Sequence, residues 1–217
     1  TGTAGTGTAG TGTAGTGTAG TAAGGTSGGG GGGAATPRGP ELTDPSTFTI
    51  VSCAITPTVI PASAIPMVGI ATFTTDLPGA ERAVIQFGKT STYTLEAPVN
   101  WADATHRTLL LGMPGNTTVH YRVIVFQGRN ACVGADATYA TGTVSGALAS
   151  LTVQKGTSTV APAPGFIITE HINTMFAYII NNQGEVVWAY RFAIPLTRAL
   201  MSFDGNYMYG RDTGPLD

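Results

Sequence analysis

From Thr1 to Gly20 the pentapeptide Thr-Gly-Thr-Ala-Gly runs four times without a fault, and Thr21 to Gly33 decays into Gly, Ser, Thr and Ala, closing on six glycines. No charge occurs before Arg38. Side chains this small cannot remove enough apolar surface from water to offset roughly 1–2 kcal/mol of backbone ordering per residue. A folded core must therefore come from the residues that follow. We read residues 1–45 as a low-complexity flexible tether, which as a random coil of ~40 residues would span roughly 35 Å. Threonine O-glycosylation and an ordered glycine-rich assembly are the alternatives, and the residues favour neither. Most of the 32 glycines lie in this tract, so the remaining chain has the composition of an ordinary folded protein. Pro37, Pro40 and Pro45 mark the junction.

Charge and hydropathy exclude several function classes. A net charge of -2 and no local Lys/Arg cluster give no attraction for nucleic acid or anionic lipid. No run approaches the roughly 20 apolar residues of a membrane span. The chain opens on Thr1 without a basic, apolar leader, so an export signal is expected to be removed or to lie upstream.

After the junction, Thr47–Ile55, Val68–Thr75, Arg82–Gly88, Tyr93–Val99, Thr105–Leu111, Val119–Gln127 and Ala135–Val144 are short runs of Val, Ile, Thr and aromatic residues separated by turn residues. Spacing of about 8–12 residues without a helical period predicts an all-β, antiparallel sandwich over residues 46–145. Alternation places Ala71, Phe73 and Thr75 on one face of the second run, with Phe73 inward. In the sixth run Val119, Tyr121, Val123 and Val125 form the core stripe, with His120, Arg122 and Ile124 opposite.

Residues 146–164 are rich in Ala, Ser, Thr and Pro and read as a linker with one candidate strand at Leu151–Gln154. Beyond it, Phe166–Glu170, Met175–Asn181, Glu185–Phe192, Thr197–Phe203 and Tyr207–Arg211 are strand-like. Asn181-Asn182-Gln183-Gly184 and Asp204-Gly205-Asn206 are turns. Short antiparallel strands joined by tight turns predict a meander, the unit of a propeller blade. Residues 165–217 would then be the first blade of an incomplete β-propeller, because closure takes roughly four to eight blades and one alone leaves open edges.

Two stretches of the first region, Gly69-Ile-Ala-Thr-Phe-Thr-Thr-Asp-Leu-Pro78 with Arg82-Ala-Val-Ile-Gln-Phe-Gly88, and Leu111-Gly-Met-Pro-Gly-Asn-Thr-Thr-Val-His-Tyr-Arg-Val123, resemble fibronectin type III domains. In that family a tyrosine usually follows the Thr pair and ties down a corner. Val119 stands there, and Tyr121 is expected to fill core volume instead. The topology implied by the resemblance brings Cys53 and Cys132 to the same end of the sandwich, where a disulfide would fit an oxidising compartment. Closing a loop of ~80 residues would stabilise by about 4.5 kcal/mol. Two free buried thiols are the alternative.

The stretch Ala177-Tyr-Ile-Ile-Asn-Asn-Gln-Gly-Glu-Val-Val-Trp-Ala-Tyr190, followed by Ser202-Phe-Asp-Gly-Asn-Tyr-Met-Tyr-Gly210, resembles the opening blade of the arylsulfate sulfotransferase family. Similar hairpins occur in other propellers. The resemblance implies a small β domain before a large propeller, periplasmic or surface-attached, with a lipoprotein anchor as one form of tether. The partners it implies are the rest of that propeller and a phenolic sulfate substrate, and no cofactor. No residue here matches the surroundings of the family's transferring histidine, so no catalytic residue is assigned and the centre is expected downstream of Asp217.

His106, His120 and His171 are too far apart for a metal motif, and surface positions account for His106 and His120. His171 follows Glu170, which would orient it as base or nucleophile, although adjacent strand residues face opposite ways. Asp204, Asp212 and Asp217 lack calcium-loop spacing and read as solvated turns. Phosphate-loop, nucleophile-elbow and dinucleotide fingerprints are absent, and Asn116-Thr117-Thr118 is a glycosylation sequon only in a glycosylating host. Two function classes follow: the front part of a tethered sulfotransferase-like enzyme, or a non-catalytic adhesion or filament-forming module.

Overall fold

The computed structural model describes residues 41–144, 146, 165–170, 175–202 and 207–212. The tract before residue 41, the strand expected at Leu151–Gln154, His171 and the turn at 204–206 lie outside these residues. What is described is an all-β protein of four sheets.

The largest sheet has the order β1 (Thr49–Ile50), β8 (Asn130–Val133), β7 (Thr118–Gln127), β4 (Arg82–Gly88), β5 (Leu95–Pro98). A further strand, β9 (Ala137–Ala140), also pairs with β7. The long β7 is shared, with β8 along Ile124–Gln127 and β9 along Thr118–Tyr121. Between them Gly134 donates its N–H to Val123 O at 2.8 Å, and a Cβ there would stand 3.0 Å from that oxygen. The second sheet is β2 (Ile55–Pro61), β3 (Gly69–Thr75) and β6 (Thr108–Leu110), all antiparallel.

These two sheets share one core, an arrangement compatible with a β-sandwich. Ala71, Phe73 and Leu110 of one face meet Ala83, Ile85, Phe87 and the stripe Val119, Tyr121, Val123 and Val125 of the other. Both predicted core faces are thus as the alternation requires. Burying each large side chain contributes about 1.5–3 kcal/mol.

Three features depart from the expected strands. The segment Ile55–Pro61 is a full strand despite Pro57 and Pro61, because it lies at a sheet edge where a missing N–H costs little. Residues 130–133, read as a connection, form β8 after a tight turn in which Gly128 takes φ 54°. The outer face of β4 and β7 is also apolar, since Val84, Ile124 and Phe126 are buried with Ala131. Phe48 packs over them, its ring 4.8 Å from that of Phe126.

The third sheet is the meander β10 (Phe166–Glu170), β11 (Phe176–Asn181), β12 (Val186–Arg191). Its hairpin turn is built by Asn181, whose Oδ1 accepts from the N–H groups of Gln183 and Glu185, while Gly184 supplies φ 82°. The fourth sheet, β13 (Leu196–Met201) with β14 (Met208–Asp212), does not extend that meander past β12. It lies against β10 instead, where Glu170 Oε2 accepts from Ala199 N at 3.0 Å. Pro195, just before β13, has no N–H to continue the ladder. Leu196 and Ala199 pack with Ala177 in a small core of their own.

Candidate functional site

Cys53 and Cys132 form a disulfide with Cα atoms 5.9 Å apart. It joins the residues just after β1 to β8, and Cys132 is buried in the main core with Cys53 packed against it. The turn that leads into β7 is held by Thr141. Its hydroxyl accepts from Thr117 N (2.9 Å) and donates to Pro114 O (2.8 Å). Val119 and Tyr121 are both in the core, where Tyr121 meets the ring of Tyr139 edge-on.

The histidines divide. His120 stands on the outer face of β7, as expected, with Nδ1 2.8 Å from Asp136 Oδ2. Asp136 Oδ1 accepts from the Tyr93 hydroxyl, also at 2.8 Å. Burial, then the hydrogen bond to Asp136 and its charge, push the Tyr93 phenol up to about 12. The bonds from His120 and Tyr93 hold the Asp136 carboxyl below its ordinary value.

The network continues from Tyr93, whose ring carries the Arg122 guanidinium 4.7 Å from its centroid. Arg122 donates twice to Gln86 Oε1, and Gln86 donates to Thr43 O (2.6 Å) and Glu96 Oε2 (2.9 Å). Glu96 in turn accepts from Thr43 N and Oγ1, both at 2.8 Å. Tyr93 adopts φ 44°, a strained conformation for an aromatic residue that the surrounding bonds hold in place. The network clasps the incoming chain at Thr43 to the outer face of the sandwich. Sequence reasoning missed it because its partners are distant in the chain; the polar alternation of His120 and Arg122 along β7 was the one visible signal.

His106 is not the surface residue that its position suggested. It lies half-buried in the loop before β6 at φ 50°, its ring stacked on Trp101 at 4.2 Å and tilted against Phe73 at 5.0 Å, with Nδ1 buried and without a hydrogen-bond partner. The loop is set by Asn100 and Asp103, whose side chains accept from Ala102 N and Thr105 N. Glu170, expected beside His171, spends its carboxylate on Ala199. Asp212 ends a strand, and Asp204 and Asp217 are outside the described residues. Among the described residues no cluster of three His, Cys, Asp or Glu could hold a metal, and no helix is long and apolar enough to cross a membrane.

Among the described residues, two grooves are lined by none of His120, Asp136 and Tyr93. The first, about 490 Å³, is almost wholly apolar, with Leu109 and Leu111 beside Phe166, Trp188, Met201 and Met208. The second, about 510 Å³, runs between the β4–β5 turn and the β11–β12 hairpin. There Lys89 Nζ reaches both oxygens of Glu185, at 2.6 and 2.8 Å. Partial burial works to raise the Glu185 carboxyl, but the hydrogen bonds from Lys89 and Asn181 outweigh it and hold the group low.

Fold and site together define an all-β protein with a disulfide-stapled two-sheet core and an apolar groove beside its C-terminal strands. Compared with protein-family models and with curated proteins, the chain matches none.

Proposed function

We infer that the chain is the front part of an exported, surface-tethered β protein. In this reading a fibronectin-III-like sandwich follows the tether of residues 1–45, and residues 165–217 open a β-propeller of the arylsulfate sulfotransferase kind. The observation that carries the reading is the apolar groove at Leu111, Phe166, Trp188 and Met208, next to edges of β12 and β14 that no other described strand pairs. A surface of that kind suits the inside of a larger β domain. A three-stranded meander followed by a hairpin fits the start of a propeller. The disulfide suits the periplasm or the cell surface. Sulfuryl transfer between phenolic donor and acceptor then belongs to residues downstream of these.

The test compares this chain with one extended by the downstream reading frame, each incubated with an aryl sulfate and a phenolic acceptor. The extended chain should transfer the sulfuryl group and the present chain should not. Transfer by the present chain alone would contradict the placement of the centre, and an inactive, folded extended chain would contradict the enzyme reading.

The same exposed edges, which carry Tyr190, Tyr207 and Tyr209, favour a second reading as an adhesion or filament-forming module. It predicts concentration-dependent assembly in light scattering that persists in the extended chain. The enzyme reading predicts that extension abolishes it.

A further inference from the structure

A bulge in β13 decides where one arginine points. Leu196 stands opposite Asp212 and Arg198 opposite Arg211, so Thr197 is an extra residue on β13, and the pairing resumes with Ala199 opposite Gly210 and Leu200 opposite Tyr209. Strict alternation from the buried Leu196 would turn Arg198 towards the core. The bulge turns it out instead, onto the face of its cross-strand neighbour Arg211. Both arginines are exposed, and along the same face Leu200 and Tyr209 are 48% and 58% exposed. The Tyr209 ring stacks at 6.3 Å on that of Tyr207, which is itself 63% exposed. The opposite face, with Leu196, Ala199 and Met208, packs into its own small core.

The outward face thus holds two like charges directly opposite each other. Side chains so placed stand about 4.5–5.5 Å apart at Cβ, and like charges there destabilise a strand pair. Among the described residues neither guanidinium is in an ion pair, the salt bridges being Lys89–Glu185 and His120–Asp136. Of the carboxylates on these strands, Glu170 accepts from Ala199 N and Asp212 stands opposite Leu196. Charges on an exposed strand also deter edge pairing, but that task needs neither the face-to-face placement nor the bulge that creates it. An oxyanion lying between the two groups accounts for both, since each guanidinium presents a planar fork of N–H donors suited to sulfate, phosphate or carboxylate.

We propose that the exposed face of β13 and β14 binds an acidic saccharide, with its sulfate, phosphate or carboxylate group held between Arg198 and Arg211 and its sugar ring laid on Tyr209 and Tyr207. The tyrosines select the ring. They form an open platform without pocket walls, which suits a pyranose whose apolar C–H face covers an aromatic ring while its hydroxyl rim stays in water. A bare aryl anion would leave its second apolar face in water. Nucleic acid fits less well, because it carries a phosphate with every base, whereas this face has two cations and the chain is net -2. The inference goes beyond the sulfotransferase reading and does not rest on it: Arg198, Arg211 and Tyr209 line neither groove.

The test titrates the full chain calorimetrically at low salt with a sulfated carrageenan tetrasaccharide, an oligogalacturonate, a neutral galactose tetrasaccharide, phenyl sulfate and sodium sulfate. At least one of the two acidic saccharides should bind, which separates sulfate from carboxylate as the favoured group, and the neutral one should not. Arg211→Gln should weaken that binding at least about tenfold, as loss of a bidentate charged contact does. Tyr209→Ser should weaken the saccharide and leave free sulfate unchanged. Lys89→Ala, which removes a cation elsewhere, should change nothing. Arg211→Gln relieves a repulsion at an exposed position, so its thermal transition should be kept or raised. No binding of either acidic saccharide, or equal loss in Lys89→Ala and Arg211→Gln, would overturn the proposal. Tighter binding of phenyl sulfate, or of a thymine-rich single strand, would replace the saccharide and overturn it as well. So would loss of binding in the chain extended downstream, where the face would be covered by its own next strands. No turnover is measured, so failure here leaves the enzyme reading standing, and failure of that reading leaves this site untouched.

Discussion

The sandwich and the C-terminal strands are built from the same kind of residue but reach different degrees of closure. In the sandwich Leu110, Val119, Ile124 and Val125 have no measurable exposure and the two sheets cover each other. In the C-terminal strands Phe166, Ile167, Tyr190, Ile194, Leu200, Met201, Tyr207 and Tyr209 are all substantially exposed. Only four other large hydrophobic residues are so exposed among the described residues: Ile50, Ile60, Leu109 and Leu111. Two of those four line the apolar groove. Strand propensity alone therefore does not make a domain; a second face must arrive to cover the first.

If that contrast is right, damage to the closed core should be the most costly. Phe87→Ala should lose about 3–5 kcal/mol of unfolding free energy in chemical denaturation, because the rigid surroundings cannot collapse into the space. Trp188→Ala, on the open side, should cost clearly less and leave the transition of the sandwich in place. Equal costs would break the comparison. Removing the staple by replacing Cys53 and Cys132 with alanine should cost about 2–5 kcal/mol, read in the same assay, and should act on the sandwich transition only.

Smaller effects sharpen the picture. Gly69→Ala would place a Cβ 2.7 Å from the buried Tyr139 hydroxyl and 3.0 Å from Val59, and should cost about 1–3 kcal/mol. The Lys89–Glu185 pair joins the two regions but is well exposed, so Lys89→Ala should cost no more than about 1 kcal/mol, and less at high salt.

The pH dependence has two limbs. Asp136 has a lowered folded pKa, so its contribution is complete above the unfolded carboxyl value and is lost as pH falls through the folded one. Asp136→Asn should flatten that acid limb in a thermal-melt pH series. Tyr93 is raised to about 12, so its contribution is complete below the unfolded phenol value of about 10 and is lost as pH rises from there towards 12. Tyr93→Phe should remove one late step from the tyrosinate absorbance titration.

Much of the fold was legible because period-two alternation reports a buried face directly. Phe73 and the Val119 to Val125 stripe needed no knowledge of their partners. Strand β2 was hidden because two prolines argue against a strand unless its edge position is known. The buried outer face at Val84 and Phe126 was hidden because its cover, Phe48, comes from an element distant in sequence. His106 looked like a surface residue for the same reason, since Trp101 and Phe73 meet it only through a strained loop. The break between β12 and β13 depended on where the hairpin found apolar company. A run of strands cannot state that in advance.

Native-state hydrogen exchange of this chain tests the unequal closure most directly. Amides of β3, β4 and β7 should exchange only through global unfolding, while those of β13 and β14 should open locally and much faster. Protection of β13 and β14 as strong as that of β7, in a monomer, would contradict the account.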